Sequence, residues 1–110
     1  MKVETKQQVI EIINNNLDRF TEFGVSSVGL FGSFVREEAT PQSDVDLLVS
    51  LENHDWNNYC NLLDFLETLF ARKVDLITET GITPSNGQEI CREVEYVYDK
   101  TKRATQSYPD

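Results

Sequence analysis

Residues 28–51 constrain the fold more than any other stretch of the chain, because two apolar runs flank a turn and a polar segment. The first run, residues 28–31, has no polar interruption and predicts a buried strand. It stops at Gly32-Ser33, a pair typical of turns. The second run, residues 44–51, resumes after the polar segment and predicts a second strand, so the stretch reads as strand, turn, strand.

Two carboxylates stand at the start of the second predicted strand. Because side chains alternate across a strand, Asp44 and Asp46 point to the same face. The opposite face is predicted to join the core through Val45, Leu47, Val49 and Leu51. Adjacent carboxylates repel each other unless a cation lies between them. Carboxylate oxygens at this spacing suit Mg²⁺, which takes one or two carboxylates and completes its shell with water or substrate phosphates.

The Gly32-Ser33 turn adds a second kind of ligand. A turn at the end of a strand can direct backbone N–H groups at phosphate oxygens. Phosphate donors beside a carboxylate-bound metal indicate nucleotide chemistry. A solvated strand edge with two acidic residues would explain Asp44 and Asp46 alone, but the turn upstream, with strand patterns on both sides, favours the nucleotide site.

Gly32-Ser33, Arg36 and residues 43–49 together closely resemble the signature of the polymerase-beta-like nucleotidyltransferase superfamily. The small size and residues 38–44 resemble its minimal branch, the MNT domain proteins, which are typically encoded beside a HEPN-domain ribonuclease toxin and act as its antitoxin. The resemblance runs from about residue 28 to residue 97. It implies an α+β fold, in which helices pack on one face of a small mixed β-sheet.

The resemblance also implies an activity. A protein of this kind would transfer AMP from ATP to a tyrosine hydroxyl of its HEPN toxin, in a hetero-oligomer with the toxin and with two Mg²⁺ ions. The catalytic and metal-binding residues would be Asp44, Asp46 and Asp75; the nucleotide-binding residues would be Gly32, Ser33, Arg36 and Ser43. The family often has glycine in place of Glu37, and small or basic residues in place of Phe34.

Asp75 is singled out by its position as well as by the resemblance. It lies inside an apolar strand pattern, residues 73–78, where an unpaired charge is costly. If this strand neighbours the one that begins at Asp44, Asp75 can join Asp44 and Asp46 as a third carboxylate.

Two other functions stay open: an antitoxin that neutralises its toxin by contact alone, and a nucleotidyltransferase that modifies a small hydroxylated molecule.

Composition limits the class of protein. The 110 residues predict one domain over residues 1–99 and a polar tail over residues 100–110. A net charge of −9 argues against a nucleic-acid partner, because binding to phosphate backbones relies on Lys and Arg. With no apolar run near the length of a membrane span and no signal-peptide core, the chain is predicted to be cytoplasmic, with Cys60 and Cys91 reduced.

The remaining elements follow from periodicity and turn residues. Thr5 and Gln8 resemble a capping box at the start of a scaffold helix over residues 6–23. A short helix or helical turn is predicted over residues 33–40. Further elements are predicted as a helix over residues 56–71, a loop over residues 80–87, and a last helix over residues 88–98 with Ile90, Cys91, Val94 and Val97 on its apolar side.

Overall fold

The structure is a computed structural model that describes residues 2–100, apart from the side chains at positions 86 and 89. Within that range the strands are Val25–Phe31 (β1), Val45–Leu51 (β2), Val74–Thr78 (β3) and Glu95–Asp99 (β4). They form one sheet in the order β3-β2-β1-β4. β1 is antiparallel to both of its neighbours, whereas β2 and β3 are parallel, so the sheet is mixed. The predicted α+β class is confirmed.

The helices are Lys6–Asn15 (α1), Leu17–Glu22 (α2), Trp56–Phe70 (α3) and Pro84–Glu93 (α4), with a 3₁₀ turn at Glu79–Gly81. The first three pack their apolar side chains on one face of the sheet and form the main core with the inward residues of β2. α4 lies against the other face, where Ile90 contacts Phe31 and Leu48 in a second, smaller cluster. No helix within residues 2–100 has the length and apolar character to cross a membrane.

The helix predicted over residues 6–23 is interrupted at Asn16. The capping box is present, because the Thr5 hydroxyl accepts from the Gln8 backbone N–H and the Gln8 side chain accepts from the Thr5 N–H. Asn16 ends α1 and begins α2 with a non-helical φ of −126° and ψ of 22°. Its side-chain amide donates to the Ile12 carbonyl at 2.7 Å, an example of local bonding that competes with the helix.

The prediction of a last helix over residues 88–98 is wrong in its second half. α4 begins at Pro84, inside the predicted loop, and β4 occupies Glu95–Asp99 where helix was predicted. Proline suits the first position of a helix, and the aromatic and β-branched residues of β4 suit a strand. β4 pairs with the edge of β1, a long-range partner that periodicity does not reveal. Residues 101–110 of the predicted polar tail lie outside the described residues.

Candidate active site

The sheet brings Asp46 and Asp75 together. Asp46 is the second residue of β2, Asp75 is the second residue of β3, and the two are register partners in the parallel ladder. Asp44 directly precedes β2, and Asp44 and Asp75 are exposed whereas Asp46 is half-buried. Because parallel partners project to the same face, Asp46 and Asp75 share one face of the sheet at the start of β2 and β3, with Asp44 one position before β2.

The surroundings of Asp46 raise the pKa of its carboxyl group. Burial, followed by the negative charges of Asp75, Asp44 and Glu93, raises the pKa of Asp46 from its ordinary 3.8 to about 6, and Arg36 partly offsets the rise. Repulsion between carboxylates is relieved by a bound cation. The donor set therefore fits a hard divalent ion held by one or two carboxylates.

The side chains do not form a closed metal cage. Across the described part of the chain, no group of three or more His, Cys, Asp or Glu side chains is close enough to hold one ion. Mg²⁺ does not need such a cage, because it usually keeps several waters and takes oxygens from substrate phosphates. Asp44, Asp46 and Asp75 would therefore supply only part of the shell of such an ion, with water and substrate oxygens supplying the rest.

Gly32 joins the end of β1 to the carboxylates. Its φ is +77°, a backbone conformation that glycine adopts without strain. A Cβ added at this position would overlap the carboxylate of Asp46, whose register partner in β1 is Phe31. Glycine is therefore required here by the packing of Asp46, in addition to any close approach of a phosphate.

One helical turn follows Gly32. The Glu38 N–H donates to the Ser33 carbonyl at 2.8 Å and the Glu37 N–H donates to the Phe34 carbonyl at 3.1 Å. Glu37 has φ 59°, so the turn ends in the left-handed conformation where glycine is usual. The helical turn predicted over residues 33–40 is present, but residues 38–40 are irregular. Phe34 points into the main core and not toward the carboxylates.

A fourth carboxylate, which sequence reasoning missed, meets this turn. Glu93, the last residue of α4, accepts a hydrogen bond of 2.5 Å from the Gly32 N–H through Oε2. Its Oε1 lies 2.8 Å from Arg36 Nη1. Arg36 also pairs with Glu38 at 2.8 Å, as an exposed arginine commonly pairs with a sequence neighbour. Glu93 is far from the turn in sequence, and no motif marks it.

Ser43 is used differently from the other predicted nucleotide-binding residues. Gly32, Ser33 and Arg36 lie in the turn after β1, but the Ser43 hydroxyl accepts from the Thr40 N–H at 2.8 Å within its own loop. Residues 40–43 form a turn that leads into Asp44, closed by the Ser43 N–H on the Thr40 carbonyl. The geometry thus gives Ser43 a part in shaping the loop before Asp44.

Arg72 secures this loop and was also missed. Arg72 is buried, and its guanidinium lies 5.2 Å above the Phe34 ring. Among residues 2–100 the guanidinium donates to backbone carbonyls and to no side chain. Its acceptors are the carbonyls of Val3 at 2.6 Å, Thr40 at 3.1 Å, Pro41 at 3.1 Å and Ser43 at 2.8 Å. Arg72 immediately precedes the segment that carries Asp75, so one side chain links the loop before Asp44 to the start of β3.

Comparison with known proteins identifies the family of the chain. Residues 9–101 match the family described as nucleotidyltransferase domain. The chain is 34% identical to the protein adenylyltransferase MntA of Thermococcus cleftensis over 88% of this chain and 100% of that protein. A solved structure provisionally named a minimal nucleotidyltransferase superposes with a TM-score of 0.72 and 29% identity, over 84% of this chain and 95% of that one.

A more distant likeness extends the fold comparison. The MNT antitoxin bound to an AMPylated HEPN toxin of Shewanella oneidensis superposes with a TM-score of 0.56 and 16% identity, over 92% of this chain and 75% of that one. At this identity the likeness supports the fold alone. The match over residues 9–101 and the similarity to MntA together show that the chain belongs to the nucleotidyltransferase domain family, in the minimal branch that includes MntA.

Proposed function

We propose that this protein is an antitoxin that transfers AMP from ATP to a tyrosine hydroxyl of a cognate HEPN ribonuclease toxin and thereby silences it. The observation that carries the proposal is the pairing of Asp46 with Asp75 beside the Gly32 turn. The names of two relatives support the acceptor class: one is a protein adenylyltransferase, and the other is an MNT antitoxin in complex with an AMPylated HEPN toxin.

The turn after β1 would bind the triphosphate. The N–H groups of Gly32 and Ser33 would contact the β- and γ-phosphates, and Arg36 would balance their charge. The same groups already hold a carboxylate, since Gly32 and Arg36 both contact Glu93. An oxyanion is therefore the chemical class that this turn accepts.

Asp44, Asp46 and Asp75 would hold Mg²⁺, two ions in the loaded site. When bound, Mg²⁺ would neutralise phosphate charge and make the acceptor hydroxyl more acidic. The protein's own part is to fix the three carboxylates at the start of β2 and β3, through the parallel ladder and the loop that Arg72 secures. Positioning and charge neutralisation supply most of the rate in phosphoryl transfers of this kind.

The proposed reaction is a single displacement at the α-phosphorus of ATP. The tyrosine oxygen forms a bond to the α-phosphorus as the bond from that phosphorus to the bridging oxygen of the β-phosphate breaks, and pyrophosphate leaves. The hydroxyl proton passes to the exposed carboxylate of Asp75. AMP on the toxin adds negative charge and bulk where RNA phosphates must enter, and repulsion then blocks the ribonuclease.

The partner and the compartment follow from the same proposal. The protein would form a hetero-oligomer with the toxin in the cytoplasm, where ATP and the toxin's RNA substrate are found. Neutralisation by contact alone is the second candidate function. The observation that favours it is the exposed Trp56, stacked 5.4 Å from Tyr59, because exposed aromatic side chains are enriched where proteins dock.

Weighing the partner separates the two candidates. The HEPN toxin is incubated with this protein, ATP and Mg²⁺, the antitoxin is removed, and the mass of the toxin is measured. Catalysis predicts a gain of one or more AMP units, lost in Asp44→Asn and in Asp46→Asn. A toxin that is inhibited but unmodified, with inhibition that needs a stoichiometric complex and no ATP, would show that contact alone is the function.

A further inference from the structure

Glu93 contacts both Gly32 and Arg36 through its carboxylate. One carboxylate oxygen accepts from the Gly32 N–H at 2.5 Å, and the other pairs with Arg36 at 2.8 Å. These are two of the groups assigned above to the nucleotide phosphates. A carboxylate and a phosphate present similar anionic oxygens to backbone N–H groups and to guanidinium groups.

The packing of α4 against the sheet positions Glu93 at the turn after β1. It ends α4, whose Ile90 is buried against Phe31 and Leu48. The next residue, Val94, lies so close to β1 that a Cβ added at Gly29 would overlap its side chain. Packed residues on both sides of Glu93 in the sequence, Ile90 and Val94, therefore fix the position of its carboxylate at the turn.

We propose that Glu93 is an internal competitor for the phosphate subsite, which the triphosphate must displace in order to bind. The inference rests on the proposed function and adds a determinant of nucleotide affinity to it. Displacement exchanges one anion for another on Gly32 and Arg36, so the contacts of the turn are kept while the negative charge of Glu93 leaves the neighbourhood of Asp46. Wild-type affinity for ATP is then lower than the turn alone would give.

The neighbouring Glu38 provides a matched comparison. Glu38 pairs with the same guanidinium at the same 2.8 Å distance, but its side chain has no described bond to the Gly32 N–H. Replacing either glutamate with glutamine changes the net charge by one unit and weakens one contact of Arg36. Only the change at Glu93 also removes the charged acceptor of the Gly32 N–H, so the two variants separate occupancy of the phosphate subsite from the charge balance of Arg36.

The experiment is calorimetric titration of ATP, with Mg²⁺ present, into the wild type, Glu93→Gln and Glu38→Gln. Glu93→Gln loses the charge that strengthens the competing hydrogen bonds, which should lower the Kd for ATP on the order of tenfold. Glu38→Gln should stay within about twofold of the wild type, because an exposed ion pair contributes little. Should Glu93→Gln fail to fold, Glu93→Asp, whose shorter side chain cannot span both contacts, is titrated in its place.

Each other result has a definite meaning. An unchanged or weaker affinity for ATP in folded Glu93→Gln overturns the proposal that Glu93 competes with the triphosphate. The nucleotidyltransferase proposal is then intact, since Glu93 would have no effect on ATP binding or would orient Arg36. Equal tightening in both variants also overturns it, because the charge of Arg36 would be the whole effect. If neither the wild type nor Glu93→Gln binds ATP while both are folded, the proposed function itself fails, and the inference fails with it.

Discussion

Asp46 and Asp75 are direct partners across the parallel ladder between β2 and β3. The negative charge of Asp75 is the largest electrostatic contribution to the raised pKa of Asp46, after the effect of burial. Two acids paired in this way destabilise the protein when no cation is present. A cation bound between them would relieve this repulsion and stabilise the protein, and that gain is measurable without any toxin or nucleotide.

The first prediction is a pH dependence of stability without divalent metal. Folded Asp46 has a pKa of about 6 against an ordinary 3.8, so the folded state holds this proton more tightly than the unfolded state. The free energy of unfolding should fall as pH rises from about 4 to about 6, and protonation restores it. Asp46→Asn should remove this loss and be more stable at neutral pH by ~1 kcal/mol, after allowance for solvent screening of a half-exposed group.

Urea denaturation of the wild type and Asp46→Asn, each with a chelator at pH about 4 and at neutral pH, tests this. The difference between the two proteins isolates Asp46 from the other acids. Curves that stay parallel across this range would show that Asp46 titrates normally. Added Mg²⁺ should stabilise the wild type more than Asp46→Asn, because the ion offsets a repulsion that the variant lacks.

The second prediction concerns the turn. A side chain at Gly32 meets the Asp46 carboxylate and must adopt a φ of +77°, so Gly32→Ala should destabilise the protein by at least ~1–2 kcal/mol. Gly81→Ala is the control, because an added Cβ there makes only ordinary contacts with Thr78 and Ile77. Thermal unfolding of both variants measures the difference. Equal midpoints would contradict the close approach of Gly32 to Asp46.

Local patterns predicted the elements whose signals lie within them. The segment that leads into β2 carries Asp44 and Asp46 on either side of Val45, β3 carries one acid among apolar residues, and α3 shows helical periodicity. All three elements are present near their predicted bounds. The Gly32-Ser33 turn is likewise encoded locally, by glycine and by the end of an apolar run. Such features need no knowledge of distant partners.

Long-range contacts determined what the sequence did not show. β4 is a strand because the edge of β1 is open to it, although its apolar residues also fit a helical pattern. Glu93 becomes part of the site only after α4 packs over Phe31 and Leu48. The role of Arg72 depends on the backbone carbonyls of residues 3, 40, 41 and 43, and the sequence does not show where backbone groups lie.

The third prediction tests Arg72 as the residue that secures the loop before Asp44. Arg72→Met would leave several backbone carbonyls without a buried donor, and the expected loss is about 3 kcal/mol or more. Arg72→Lys should recover only part of it, because an ammonium group cannot reach Val3 and the loop at once. Arg19→Met is the control: Arg19 also lies over an aromatic ring, that of Phe65, but is exposed.

Urea denaturation of the three arginine variants gives the comparison. Arg19→Met should cost less than about 1 kcal/mol, as exposed ion pairs generally do. A loss in Arg72→Met as small as that in Arg19→Met would mean that the loop holds its shape without the guanidinium. A full recovery by lysine would mean that charge alone, and not the fork of donors, secures the loop.

The last prediction uses two non-glycine residues of the described range that have positive φ, Glu37 at 59° and Ala71 at 54°. Each ends a helical segment in the left-handed conformation, which costs an L-residue on the order of 1 kcal/mol. Glu37→Gly and Ala71→Gly should therefore both raise the free energy of unfolding by about that amount. Only Glu37→Gly also removes a carboxylate from the turn after β1, so it alone should strengthen ATP binding, by up to about twofold at low salt. Denaturation and calorimetric titration of both variants separate the effect of stability from the effect of charge. If Ala71→Gly also binds ATP more tightly, the gain in affinity comes from stability. If only Glu37→Gly binds ATP more tightly, the gain comes from the removed charge.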